Sequence, residues 1–400
     1  MKKLIAISVM LALVTGAVFA QMSFGGHFGI KSTIIGDTAG EGDIVAGINM
    51  QAARMNVDFA NESGTAGGRV RLYANQPSGP TAPWWGQLPF AYAWFKPAPN
   101  IRIQVGHNPD GDLGAAQLTG WGMIQEAQDY VAVDQDAGDG MGSYWQRGRR
   151  SGFYPGFSAA GFIVQFMNLF EGFTLNVVLP MSSGAGRDQG NIDIAKVYTN
   201  FHLNAVYAVP DIGVARLSFQ GLGGLDPDTA KSPGDIFASF FLNQAIENNS
   251  FDIGIRYGIP WENGENAKGE TIMVYPGMDV GLGYNIQAGK FAFRARIGTF
   301  FGATNTSGGF EPTTIGLVVK PMYSEGNWVF HFNAGFGIRL PASDNEAHGI
   351  TEFDFYINPY CTRSFGNLTF YGGIKLGSPN LQADEPTIKW AIPIGFGCHF

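Results

Sequence analysis

The sequence predicts an all-β fold: a transmembrane antiparallel β-barrel of about eighteen strands, with sixteen as the alternative count, short turns at one end and long loops at the other. Three observations predict it. The first is the final stretch, where Ile388, Trp390, Ile392, Ile394, Phe396, Cys398 and Phe400 are apolar and the residues between them are small or polar. A strict period of two puts one face of an extended strand in an apolar medium and the other elsewhere. The second is composition: 57 Gly and 32 Phe with only 14% charged residues disfavour long surface helices. The third is a regular alternation in the length of the connections.

Residues 1–20 read as a signal peptide, not as structure. Lys2 and Lys3 make a basic start, Leu4 to Val14 an apolar core, and Val18-Phe19-Ala20 a small-residue cleavage site. Residues 21–400 then form a single barrel domain in which no apolar run approaches the length of a spanning helix. With Lys2 and Lys3 removed from the 25 basic residues, 33 acidic residues leave a formal charge of −10, which favours neither nucleic acid nor an anionic lipid surface. Two cysteines, Cys361 and Cys398, are too few for a disulfide scaffold.

In order, the candidate strands are Met22–Ile35, Ile44–Phe59, Gly68–Ala74, Leu88–Lys96, Ile101–Gly106, Phe157–Asn168, Phe173–Leu179, Ile194–Val209 and Gly213–Gln220. The second half adds Ile236–Ala245, Phe251–Ile259, Met273–Ile286, Phe291–Phe301, Thr313–Met322, Asn327–Leu340, Thr351–Tyr360, Leu368–Leu376 and Ile388–Phe400. A parity slip near Ala52-Ala53 predicts a bulge in the second strand. Connections such as Pro97–Asn100, Pro210–Ile212 and Ser324–Gly326 are short, whereas the intervening ones, among them His107–Gly156, Pro180–Asp193 and Pro260–Ile272, are long.

Charges identify the two faces. Phe291, Phe293, Ala295 and Ile297 share one parity while Arg294 and Arg296 take the other; Phe353, Phe355 and Ile357 oppose Glu352 and Asp354. Arg69, Arg71, Arg102, Lys196, Arg216, Arg256, Arg339 and Lys375 also fall on the non-lipid parity of their strands. An Arg on the lipid face near the midplane costs about 2–4 kcal/mol, so these residues are read as pore-lining and the interior as wet. Inward cations outnumber inward acids, chiefly Asp58, Asp252, Asp279, Glu352 and Asp354, which predicts a mild anion preference despite the acidic total.

With signal peptide, alternating strands, turn and loop asymmetry and a terminal Phe, the chain resembles a bacterial outer-membrane porin along its mature length. The resemblance implies residence in the outer membrane among its lipids, and a last strand that closes the barrel. It implies that Phe400 resembles the signal read by the barrel-assembly machinery. It further implies passive diffusion of small hydrophilic solutes, with no enzymatic activity, no cofactor and no nucleic-acid partner; a homo-oligomer is compatible with it. A sugar-selective porin, or a plugged surface barrel acting as adhesin or structural protein, are the alternatives.

The long loop over residues 107–156 is the candidate constriction, folding into the lumen with Asp129, Asp134, Asp136 and Asp139 followed by Arg147, Arg149 and Arg150. Its Asp134–Gly140 run departs from a calcium loop, with Gly138 at the fifth position and Trp145 where a bidentate Glu is needed, so no metal is assigned. Trp84, Trp85, Tyr92 and Trp94 read as an interfacial girdle, while Tyr73, Tyr198, Tyr356, Tyr360 and Tyr371 share the lumen parity. No G-x-S-x-G, H-E-x-x-H, C-x-x-C or P-loop is present.

Overall fold

The computed structural model describes residues 21–37, 42, 44–50, 53–74, 87–107, 160–180, 201–221, 235–246, 249–265, 268–275, 277–302, 313–340, 351–378 and 381–399. Residues 1–20, read as a signal peptide, lie outside them, as do Lys196, Tyr198, Trp84, Trp85, Phe400 and every charged residue named in the long loop.

The described residues form twenty-two strands: β1 (Gln21–Asp37), β2 (Val45–Met50), β3 (Ala53–Ala60), β4 (Ala66–Ala74), β5 (Gln87–Ala98), β6 (Ile101–His107), β7 (Ala160–Met167), β8 (Phe173–Pro180), β9 (His202–Val209), β10 (Gly213–Gln220) and β11 (Asp235–Ile246). They continue as β12 (Asn249–Gly258), β13 (Trp261–Glu265), β14 (Thr271–Val274), β15 (Met278–Ala288), β16 (Phe291–Phe301), β17 (Thr314–Glu325), β18 (Trp328–Arg339), β19 (Glu352–Phe365), β20 (Leu368–Gly373), β21 (Lys375–Ser378) and β22 (Lys389–His399).

All but β13 and β14 belong to one antiparallel sheet in which each position pairs with the next along the chain. The sheet returns on itself, because β22 pairs with β1 from His27↔His399 to Asp37↔Trp390. β2 and β3 occupy one position beside β1, and β20 and β21 one position between β19 and β22. The described strands therefore make eighteen staves.

Both interruptions have a local cause. Ile30 faces Met50 in β2, whereas His27 faces Arg54 in β3, so the register slips by one residue between the two pieces. This is the bulge expected near Ala52-Ala53. Between β20 and β21, Ile374 donates to the carbonyl of Pro359 at 2.9 Å, but Pro359 and Pro393 of the flanking strands have no N–H to return, and the ladder breaks there.

One expectation is corrected. Met273–Ile286 is not a single strand: Thr271–Val274 turns away to form a separate hairpin with Trp261–Glu265, a segment read as loop. Gly277, at φ +84°, starts β15 afresh in a conformation an L residue avoids. A further difference is at β9, which begins at His202, with Phe201 already outside the strand.

The two faces separate cleanly. Leu217, Leu282, Ile297, Phe330, Phe332 and Phe336 are each at least 40% exposed and share the outward parity. The inward parity holds buried polar groups, including Asn176, Asn204, Ser218, Lys320, Asn333 and Asn358. An apolar exposed face around a polar interior inverts the soluble pattern and matches a lipid-embedded cylinder.

Candidate functional site

The inward wall begins at the short-turn end. There Arg69 of β4 faces Asp58 of β3 directly, and its Nε and Nη2 reach the two carboxylate oxygens. One step along β4, Arg71 donates from Nε to Asn56 Oδ1 at 2.6 Å. Cross-strand pairing fixes both contacts, since residues opposite one another carry their side chains to the same face.

Trp94 of β5 enters the same region. It faces Gly67 of β4, and a Cβ added at Gly67 would come within 2.8 Å of the indole. The missing side chain is what lets the ring lie along the wall. Arg102 of β6 places its guanidinium carbon 4.9 Å from that ring, and Lys96 its Nζ 5.6 Å away. Tyr92 and Trp94 are thus inward, with Ala93 and Phe95 on the exposed parity, and the interfacial-girdle reading of these two aromatics is corrected. Period two placed them on the lumen parity with Lys96; their nearness to a strand end hid it.

A pocket of about 420 Å³ opens here, lined by Ser23, Asp58, Arg69, Tyr92, Trp94, Lys96, Arg102 and Gln165 among others. Asp58 is the carboxylate of the lining and is engaged by Arg69. Among the described residues neither Lys96 nor Arg102 has an acidic partner, and the buried donors Arg102 Nε and Gln104 Nε2 find no acceptor. The pocket is therefore rich in donors and positive in balance.

A second cluster sits across the wall on β16 to β19. Arg294 faces Lys320, and Asn333 faces Asn358. His331 and Tyr360 stack at 4.3 Å with planes 6° apart, His331 Nε2 lies 3.3 Å from Thr362 Oγ1, and Lys320 Nζ lies 5.8 Å from the Tyr360 ring. Asn333 and Asn358 are 0% exposed, yet none of their four amide atoms is bonded. Two ion pairs complete the wall, Arg256 with Asp279 at 3.2 Å and Arg339 with Glu352 at 2.9 Å.

The structure thus places Arg69, Arg71, Arg102, Arg216, Arg256, Arg294, Arg296, Arg339, Glu352, Asp354 and Lys375 on the inward parity. It brings Arg69, Arg102 and the unforeseen Lys96 and Trp94 into one pocket. Tyr356, Tyr360 and Tyr371 are inward as expected, and each is no more than 5% exposed. The wall carries a crowded polar layer at mid-height and a pocket near the short-turn end.

No protein-family model matches the sequence, and no curated protein matches it. Solved structures do share the fold. The outer-membrane channel DcaP of Acinetobacter baumannii aligns over 95% of this chain and 97% of its own, with a TM-score of 0.52 and 10% identity. OccAB4 of the same organism covers 95% and 99% at 0.51 and 10% identity. OccK8 (OprE) of Pseudomonas aeruginosa covers 96% and 99% at 0.51 and 11% identity. At such identities the likeness is one of fold, and it agrees with the closed ladder and inverted faces: the chain has the architecture of a bacterial outer-membrane porin.

Proposed function

We propose that the protein is an outer-membrane channel through which small hydrophilic solutes diffuse passively, with a mild preference for anions and no catalytic role. The observation that carries this is the segregation of charge: arginines and lysines line the inward parity while the outward parity is apolar away from the turn ends. An ion in the narrow part feels wall charges within a Debye length of about 8 Å, whereas acids in the loops are screened more strongly. The pocket beside Trp94, where Lys96 and Arg102 have no acidic partner among the described residues, concentrates anions at the short-turn mouth, which in such barrels is periplasmic.

A second reading, a barrel with an obstructed lumen serving adhesion or structure, is favoured by the near-zero exposure of Asn333, Asn358 and Tyr356 at mid-height. Planar-bilayer recording separates the two. A steady single-channel current with a reversal potential shifted toward anions supports the channel, and Arg294→Glu with Arg296→Glu moves that potential toward cations. Absence of current from correctly folded protein supports the obstructed barrel.

A further inference from the structure

The named wall arginines turn inward, but Arg363 does not. It lies on the outward parity of β19 with Ile357, Pro359 and Cys361, three residues before the turn at Gly366-Asn367. At about 3.4 Å per residue it stands roughly 10 Å along the strand from that turn, less in depth because strands tilt. It faces Trp328 on one side and Phe370 on the other. Its guanidinium carbon is 4.9 Å from the Trp328 ring and 4.5 Å from the Phe365 ring.

A charge on the lipid face is tolerated near an interface, where its head can reach water or a polar headgroup. The described residues supply no counter-charge. Among the described residues Arg363 has no acidic partner, and its Nε is buried without a hydrogen-bond acceptor. The nearest candidate by register, Glu325 opposite Trp328, is committed to Lys290 and to Tyr323 at 3.0 Å. Around the arginine the outward face carries exposed Phe330, Phe365, Leu368 and Phe370, an apolar surface fit for acyl chains. A guanidinium fork matches an oxyanion with two parallel bonds, and a phosphate is the oxyanion that a lipid presents at this depth.

We infer that Arg363, held between Trp328 and Phe365, binds the phosphate of a phospholipid in the periplasmic leaflet, with the acyl chains lying over the neighbouring aromatics. The site is independent of whether the lumen conducts. It commits to a phosphodiester attached to acyl chains: neither a free phosphate, which lacks the apolar contact, nor a neutral diglyceride, which lacks the charge, satisfies both halves.

Native mass spectrometry of the folded barrel in neutral detergent tests this, using phosphatidylglycerol, dioleoylglycerol and inorganic phosphate as separate probes. The wild type is expected to retain one phosphatidylglycerol and neither of the other two. Arg363→Gln should weaken retention about tenfold, and Arg363→Lys, which keeps the charge but loses the fork, should fall between. Trp328→Leu should weaken it as well, while heat-modifiable gel mobility confirms that each variant is folded. Equal retention by wild type and Arg363→Gln, or equal retention of dioleoylglycerol, overturns the site. Binding of inorganic phosphate as strong as that of the lipid overturns the lipid as its source. A second copy of the chain, lost in Arg363→Gln with no retained lipid, would assign the cation to a protein interface instead.

Discussion

Gly67 and Trp94 show how one residue decides what its cross-strand neighbour can do. A methyl group at Gly67 would sit 2.4 Å from the carbonyl oxygen of Phe59 and 2.8 Å from the indole, and the backbone oxygen cannot step aside. Gly67→Ala is expected to cost about 1–3 kcal/mol through overpacking. It should also lift Trp94 from the wall and loosen its hold on Arg102 and Lys96. A lower temperature of gel-mobility conversion, with a changed indole emission spectrum that Trp94→Phe abolishes, checks this; unchanged behaviour would mean the ring has another resting place. At this scale the sequence was only partly legible. Parity assigned Arg69, Arg102 and Arg294 to the inner face because a charge cannot stay on the lipid face at depth. It could not reveal that Trp94 lies against Gly67, because that contact depends on register between strands, which no single strand encodes.

For whole elements, period two was a reliable guide where a strand has lipid on one side, since a slip by one residue would turn every phenylalanine inward. It failed where lipid stops. The hairpin of β13 and β14 pairs outside the barrel sheet; β13, with Glu262 and Glu265 and no apolar stripe, read as loop, while the end of β14 read as the start of the strand Met273–Ile286. The elements near the C-terminus also decide the state of the thiols. Cys361 faces Gly372 of β20, whereas Cys398 faces Leu368 of the same strand, so a whole strand and several residues separate them. Two strand spacings of about 4.8 Å already exceed the roughly 7 Å limit for a disulfide. Both thiols are free in the structure. A non-reducing peptide map should find no Cys361–Cys398 bridge even after export to an oxidising compartment; finding one would put the order of β19, β20 and β22 in error.

The whole cylinder depends on its first and last strands meeting, with Phe28 and Phe396 packed at 6.1 Å between ring centres. Phe400 follows β22 in the sequence, outside the described residues, and replacing it with Asp is expected to reduce insertion in cells, read as loss of the heat-modifiable band; normal insertion would remove it as a recognition element. The pairing of β22 with β1 also sets an order of events. Every other contact between staves joins neighbours in sequence and can form as the chain arrives, but this one joins residues more than 350 positions apart and must wait for the end. Until then both β1 and the newest strand present rows of unpaired backbone groups, the surfaces on which chains aggregate. Time, and not only geometry, is therefore written into the seam. A chain released one stave early would be no smaller pore; it would be an open sheet with two raw edges, in need of a guardian until its missing strand is made.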